Sequence, residues 1–300
     1  MPNQEHGGGA ADAIMNLTAD VIHSKKVTKP DSSWSLWLRQ IAAIMRLEVK
    51  KNFFGKRSLL VYLLAMMPIG LLVMVELVKP LGEEITQYQN IYSLIYNSLI
   101  LRTVVFFGCA WIFMNLFRGE IVDRSLHYYF LSAARREVLV AGKFLSGLIT
   151  ATTLFTTVTI ASMLLIFFAH SYGISVRFFL DGPGMTQLLT YAGITILACV
   201  GYGAFFLVVG LFFRNPIIPA LVLYGWEWIN FLLPPLLKKI SVIHYLNSLV
   251  PVPISEGPFA VVAEPTPAWI SVPGLLIVTA LVLIGASIRI RRMEIKYGSD

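Results

Sequence analysis

Six long apolar segments constrain this chain more than any other feature of its sequence. Each has the length of about 20 residues that an α-helix needs to cross the hydrocarbon core of a membrane. Charged residues make up only 14% of the chain, against roughly 25% in a soluble domain, which argues against a soluble globule. The sequence therefore predicts an all-α polytopic membrane protein. The six predicted transmembrane spans are 58–78, 91–117, 144–169, 187–213, 216–235 and 269–288.

The Lys and Arg residues indicate the orientation of these spans. Nineteen of the 24 fall on one side of the predicted membrane, four fall on the other side, and Arg102 falls within the second span. Cytoplasmic segments carry the excess of Lys and Arg in membrane proteins. We therefore expect a multi-pass protein of the plasma (cytoplasmic) membrane with both termini in the cytoplasm. The expected organisation is a flexible tail at 1–33, a transmembrane domain at 58–293 and a short tail at 294–300.

Residues 34–57 form a predicted amphipathic helix that precedes the first span. Apolar residues from Trp34 to Val49 recur at helical spacing, and basic residues supply the polar side. A helix of this kind lies in the headgroup plane of a membrane with its apolar edge buried in lipid. It is either a simple anchor for the first span or a lever that responds to cytoplasmic events, and the pattern is compatible with both.

The segment after the second span combines acids, bases and aromatic residues. Tyr and Arg are over-represented at interface hot spots, so one interpretation is a short amphipathic cytoplasmic helix, at about 125–132, that docks on another protein. The same aromatic residues are also typical of a belt at the membrane surface. Both interpretations stay open on the residues alone.

The order of residues in this segment resembles the cytoplasmic loop of ABC-2-type permeases, the membrane subunits of ATP-binding-cassette exporters. Three further features are similar: a basic amphipathic helix before the first span, a very tight turn at 213–216 and a Pro-rich segment at 234–251. The chain departs from the family pattern at Ala133 and Ala134, where a Pro-containing pair is commoner. The matching run is Glu120-x-x-Asp123-x-Ser125-Leu126-x-x-x-x-Leu131-Ser132-x-x-x-Arg136-x-x-x-x-x-x-Lys143.

Membership of this family would imply a half-transporter. Two membrane subunits, either two copies of this chain or this chain and a similar permease, would pair above two cytoplasmic ATPase subunits. Helix 34–57 would be the connecting helix, and the helix at 125–132 would be the coupling helix between spans 2 and 3. The implied contacts with the ATPase are Glu120, Asp123, Arg124, Leu126, Tyr129 and Arg136.

The chain lacks the sequence motif that ATP hydrolysis requires. It contains no G-x-x-x-x-G-K-[ST] loop, so ATP would have to be bound by a partner subunit. Its five histidines show no metal-ligand spacing such as H-E-x-x-H. We therefore expect a non-catalytic subunit with no cofactor or metal site. The net charge of +7 is explained by the cytoplasmic segments, and no nucleic-acid partner is expected.

Two charged residues fall near the middle of predicted spans. Arg102 and Glu227 each lie about 11 residues from a span end, and at 1.5 Å per residue both are expected near mid-depth. An unpaired charge there costs about 2.5–3.5 kcal/mol, which favours side chains that face inward and suggests a direct pair. The pair would be either structural or, together with Asn230, part of the path of a transported substrate.

Export of an unspecified substrate, powered by a separate ATPase, is the function that the resemblance implies. Three other classes stay open. A membrane-embedded enzyme should show a convergent set of polar residues within the bilayer. A secondary transporter would normally show inverted repeats, and we find no internal repeat in the sequence. A membrane scaffold or sensor would use the loop between spans 2 and 3 to hold a different cytoplasmic partner.

Overall fold

The computed structural model describes residues 33–55, 58–78, 84–122, 135–169, 172–213, 215–239, 241–253 and 266–291. Within these ranges the backbone is helical and contains no β-strand. The chain divides into two compact units, residues 1–39 and 40–300. In the first unit the described residues begin a helix, in which the rings of Trp34 and Trp37 lie 5.1 Å apart. Every contact described below belongs to the second unit.

The second predicted span is not one continuous α-helix in the structure. It is a composite of two α-helices joined by a π-helix over Tyr96–Val105. A 3₁₀ turn, Asn230–Leu232, follows the eighth helix. The α-helices are α1 (Ser33–Phe54), α2 (Ser58–Val78), α3 (Ile85–Ile95), α4 (Phe106–Val122), α5 (Arg136–Phe168), α6 (Tyr172–Leu180), α7 (Gly184–Phe212), α8 (Ile217–Ile229), α9 (Pro235–Lys238), α10 (Val242–Asn247) and α11 (Ala268–Arg291).

Within the described ranges, five helices are long and apolar enough to cross a membrane. They coincide with five of the six predicted spans and confirm the helical membrane-protein class. The helix predicted for residues 34–57 is α1, which ends three residues earlier, at Phe54. The five are Ser58–Leu77, Ile85–Gly119, Arg136–Phe168, Gly184–Phe212 and Ala268–Ile290.

The predicted fifth span is shorter in the structure than the sequence suggests. The helix α8 has 13 residues and therefore rises about 20 Å, which is less than the ~30 Å of a hydrocarbon core. The apolar stretch continues only through the 3₁₀ turn, and Pro234 and Pro235 follow it. Proline has no N–H with which to continue a helix, which explains this end. A sixth crossing therefore stays a prediction.

The helix α7 lies at the centre of the fold and packs against α4, α5 and α11. In the most apolar stretch of α7, 72% of the residues are buried. In the corresponding stretches of α2 and α11, 28% and 22% are buried. Small residues allow membrane helices to approach closely. At Gly210 of α7, a Cβ atom would lie 2.7 Å from the backbone of Met114 in α4, so glycine is required there. The apolar outer faces of α2 and α11 are suited to lipid or to another chain.

Candidate functional site

The first buried polar centre is built around Lys143 of α5. Its ammonium donates to Glu48 Oε1 of α1 at 2.8 Å and to the backbone oxygen of Leu116 of α4 at 2.7 Å. It also lies 5.3 Å from the ring centroid of Phe117. We call Lys143, Glu48 and the Leu116 carbonyl the Lys143 centre. One cation therefore holds three helices together.

The Lys143 centre is removed from solvent almost completely. The side chains of Lys143 and Glu48 are 0% and 3% exposed. Taking each charge out of water costs several kcal/mol, and only a well-formed pair offsets that cost. Such a pair contributes little net stability, but losing one member leaves a buried charge without its counter-charge. The centre is therefore sensitive to the relative positions of α1, α4 and α5.

Local sequence explains why Glu48 points inward from a basic helix. Ile44 and Glu48 are four residues apart, and both belong to the buried face of α1. Gly142 lies beside Lys143, and a Cβ atom there would lie 3.0 Å from the Ile44 side chain. The missing side chain lets α1 pack tightly on α5 and brings the two charged groups together.

The Lys143 centre flanks the loop that resembles a coupling segment. Leu116 precedes this loop and Lys143 follows it. Arg136, the first residue of α5, donates from Nη1 to the Ile290 oxygen of α11 at 2.8 Å. Glu120 lies in α4. The predicted helix at 125–132 and four predicted contacts lie outside the described residues: Asp123, Arg124, Leu126 and Tyr129.

The sequence pattern alone did not single out Glu48, and it gave Lys143 only as the end of the family-like run. A signal was present. Glu48 is the one acidic residue in the sequence of α1, and it lies at helical spacing from apolar residues. A lone acid on the apolar face of a basic helix indicates a buried cationic partner.

The second polar centre depends on the π-helix Tyr96–Val105. In a π-helix, hydrogen bonds join residues five apart, so such residues lie side by side. Arg102 Nε donates to Asn97 Oδ1 at 3.1 Å, and Asn97 Nδ2 donates to Asn247 Oδ1 of α10 at 2.8 Å. The Arg102 guanidinium lies 5.8 Å from the ring centroid of Trp228 in α8. We call these four residues the Arg102 network.

Glu227 faces inward, as predicted, and is 2% exposed. Its Oε2 accepts hydrogen bonds from Ser241 Oγ at 2.7 Å and from the Ile243 N–H at 3.0 Å. Its Oε1 accepts from the Val242 N–H at 3.1 Å. The first N–H groups of a helix lack intrahelical partners and form its positive end. Glu227 therefore caps α10.

The direct pair between Arg102 and Glu227 that matched depth suggested is not found. No contact within 4 Å joins these two described side chains, because the carboxylate is bound by α10 and the guanidinium by Asn97 and Trp228. Both residues nevertheless belong to one polar region, since Trp228 directly follows Glu227.

Asn230 begins the 3₁₀ turn and is 2% exposed. Its Nδ2 lies 3.5 Å from the backbone oxygen of Lys238 in α9. This amide thus closes the connection between α8 and α9. A role in the path of a substrate stays a prediction.

Among the residues that the structure describes, no group of three His, Cys, Asp or Glu side chains could hold a metal ion. No protein-family model, curated protein or solved structure matches this chain. Its residues and their geometry are therefore the basis for the function. Two arrangements are relevant: a buried ion pair that flanks the loop between α4 and α5, and a polar network near the middle of a span.

Proposed function

We propose that this chain is the membrane-spanning permease subunit of an ABC-2-type transporter. It pairs with a second copy or a similar permease, forms the translocation path for a substrate and acts in export. A separate ATPase subunit binds and hydrolyses ATP. The proposal joins the resemblance of the 120–143 run to the five long apolar helices of the structure.

The observation that carries this proposal is the Lys143 centre. A permease driven by a separate ATPase has to pass a displacement from its cytoplasmic loop into its spans. The loop between α4 and α5 is flanked by groups that meet at one buried cation. A displacement of this loop therefore moves α1, α4 and α5 together, because separating them would expose or isolate a buried charge.

Arg136 extends this connection to α11. Its bond to Ile290 fixes the start of α5 against the end of the last helix. In the proposed mechanism, closure of the ATPase pair pushes the loop and α1, and the spans α2, α3–α4 and α8 change their angles at the seam between two permeases. Arg102, Glu227 and Asn230 are the candidates for the substrate path, and Glu227 and Asn230 also hold α10 and the connection between α8 and α9.

Co-purification tests the class of the protein. The full chain is tagged at its C-terminus, extracted from its host membrane in mild detergent and examined by mass spectrometry. We expect a stoichiometric partner with Walker motifs. A monomer or dimer without an ATPase, repeated under gentle cross-linking, would contradict the proposal and favour a secondary transporter or a scaffold.

Coupling is tested in vesicles that contain the purified complex. Tyr129→Ala and Asp123→Arg should leave ATP hydrolysis in place while transport falls, because they alter the loop and not the spans. Asp181→Arg, a charge reversal at an exposed acid outside the loop and α1, is the matched control. Normal transport in both loop variants would count against the proposed role of the loop.

A further inference from the structure

A cleft of about 200 Å³ lies between α1, the start of α2 and α4. A smaller cavity shares several of its residues, including Asn52, and extends toward Tyr62 and Leu154. The spanning stretch of α2 begins at Ser58, so the cleft lies beside the end of a predicted span. The residues that matter below are Lys51, Asn52, Val61, Trp111, Ile112 and Asn115.

Asn52 gives the cleft a hydrogen-bond donor. Its Nδ2 is buried and has no hydrogen-bond partner among the described residues. A buried donor without an acceptor is costly, and native proteins satisfy nearly all such groups with protein, water or a ligand. Since Asn52 lines both the cleft and the smaller cavity, an acceptor placed between them would satisfy it.

The mouth of the cleft is positively charged. Lys51 lines it and is exposed. The one acid of this helix, Glu48, lines the cleft but is buried against Lys143. Lys51 is therefore the exposed charged residue that α1 contributes to the lining of the cleft. This arrangement attracts an anion at the level of lipid headgroups.

The inner wall of the cleft is apolar. Val61 of α2 and Ile112 of α4 face it, and Trp111 adds an aromatic ring of the kind that lies at membrane interfaces. A cationic mouth, a buried amide donor and an apolar wall together suit an amphiphile with an anionic head. A free anion would use only the mouth.

We propose that this cleft binds one anionic phospholipid. The phosphate lies at Lys51 and Asn52, and an acyl chain leaves along Val61 and Ile112 into the bilayer. Because Glu48 also lines the cleft, the bound lipid holds α1 against α4 next to the Lys143 centre. The site does not depend on the proposed transport function, because its residues and its ligand require no ATPase.

Native mass spectrometry of the full, delipidated chain tests this site. Phosphatidylglycerol and phosphatidylcholine with identical acyl chains are the probes. The wild-type chain should retain one phosphatidylglycerol in preference to phosphatidylcholine. Lys51→Gln should weaken phosphatidylglycerol binding about fivefold and remove the preference. Asn52→Leu should weaken both lipids about tenfold, because both carry the phosphate.

Two further variants make the result specific. Lys50→Gln is the matched control, since its neighbour Lys51 lines the cleft and Lys50 does not. It should leave the lipid preference unchanged. Ile112→Trp fills the apolar wall without altering any charge and should also reduce lipid binding. It keeps the proposal testable if a change at Asn52 impairs folding.

Three results would overturn the proposal. The first is equal binding of the two lipids by the wild-type chain. The second is the same loss in Lys50→Gln as in Lys51→Gln. The third is displacement of the lipid by inorganic phosphate or glycerol phosphate at the concentration of the lipid itself, which would indicate a site for a free anion. None of these results bears on co-purification with an ATPase.

Discussion

Replacing Lys143 by methionine should destabilise the protein more than replacing Lys143 and Glu48 together. The single change removes the ammonium that lies 2.8 Å from Glu48 Oε1 and leaves that carboxylate buried. The double change, Lys143→Met with Glu48→Leu, removes both charges and keeps apolar side chains in their places. The comparison therefore separates the effect of an unpaired buried charge from the effect of altered side-chain packing.

The expected magnitude follows from the burial of the pair. Removing one member of a buried ion pair costs about 3–5 kcal/mol, whereas replacing both by apolar residues is often neutral. Lys143→Met also removes the donor to the Leu116 oxygen, which costs about 1 kcal/mol more. We expect a loss of about 4–6 kcal/mol for the single variant and about 1 kcal/mol for the double variant.

The free energy of unfolding is measured by SDS titration in mixed micelles, with circular dichroism as the readout. Lys50→Met is the control, because Lys50 is exposed on α1, and it should stay within about 0.5 kcal/mol of the wild type. Equal losses in the single and double variants would refute the reasoning. In that case the unpaired Glu48 carboxylate would contribute nothing to the loss of unfolding free energy.

Three further predictions concern the spans and the start of α10. Gly108→Ala should destabilise the protein by about 1–3 kcal/mol in the same titration, because a Cβ atom overlaps a phenylalanine ring of α5, whereas Gly193→Ala meets open space and should be neutral or stabilising. Ser241→Ala should cost about 1–2 kcal/mol of unfolding free energy, because buried Glu227 loses a donor at 2.7 Å; an unchanged value would show that this hydroxyl does not stabilise the carboxylate. Reversing the charges of Arg102 and Glu227 together should not restore the folded yield lost in each single reversal, measured by size-exclusion chromatography, and a rescue would indicate a direct pair.

The lengths of most spans could be predicted because the apolar stretch of a transmembrane helix has to match the thickness of the hydrocarbon core. The first predicted span, 58–78, has the bounds of α2. The helix predicted from 144 instead begins at Arg136, because hydropathy records where apolar residues begin and not where helical hydrogen bonding begins. The α-helix of the predicted fifth span ends earlier than hydropathy suggests, for a related reason. Apolar residues continue past Ile229, but two prolines stop the helix.

The polar contacts were harder to predict than the spans. The position of a residue along a span predicts only its depth in the membrane, and by that measure Arg102 and Glu227 lie at a similar level. Contact also depends on rotation about each helix axis, and a π-helix changes that rotation in a way that a regular α-helical period does not describe. The donors for Glu227 come from a segment 14 to 16 residues away, whose return toward α8 depends on tertiary packing.

The ion pair of the Lys143 centre also bears on how the chain is made. Glu48 and Lys143 are 95 residues apart. At a synthesis rate of about 5–20 residues per second, Glu48 leaves the ribosome about 5–20 s before its counter-charge does. During that time the Glu48 carboxylate has to stay hydrated. The helix α1 therefore stays in contact with water while α2, α3 and α4 are inserted into the membrane. Of the described helices, the first to be translated is thus among the last to reach its final packing.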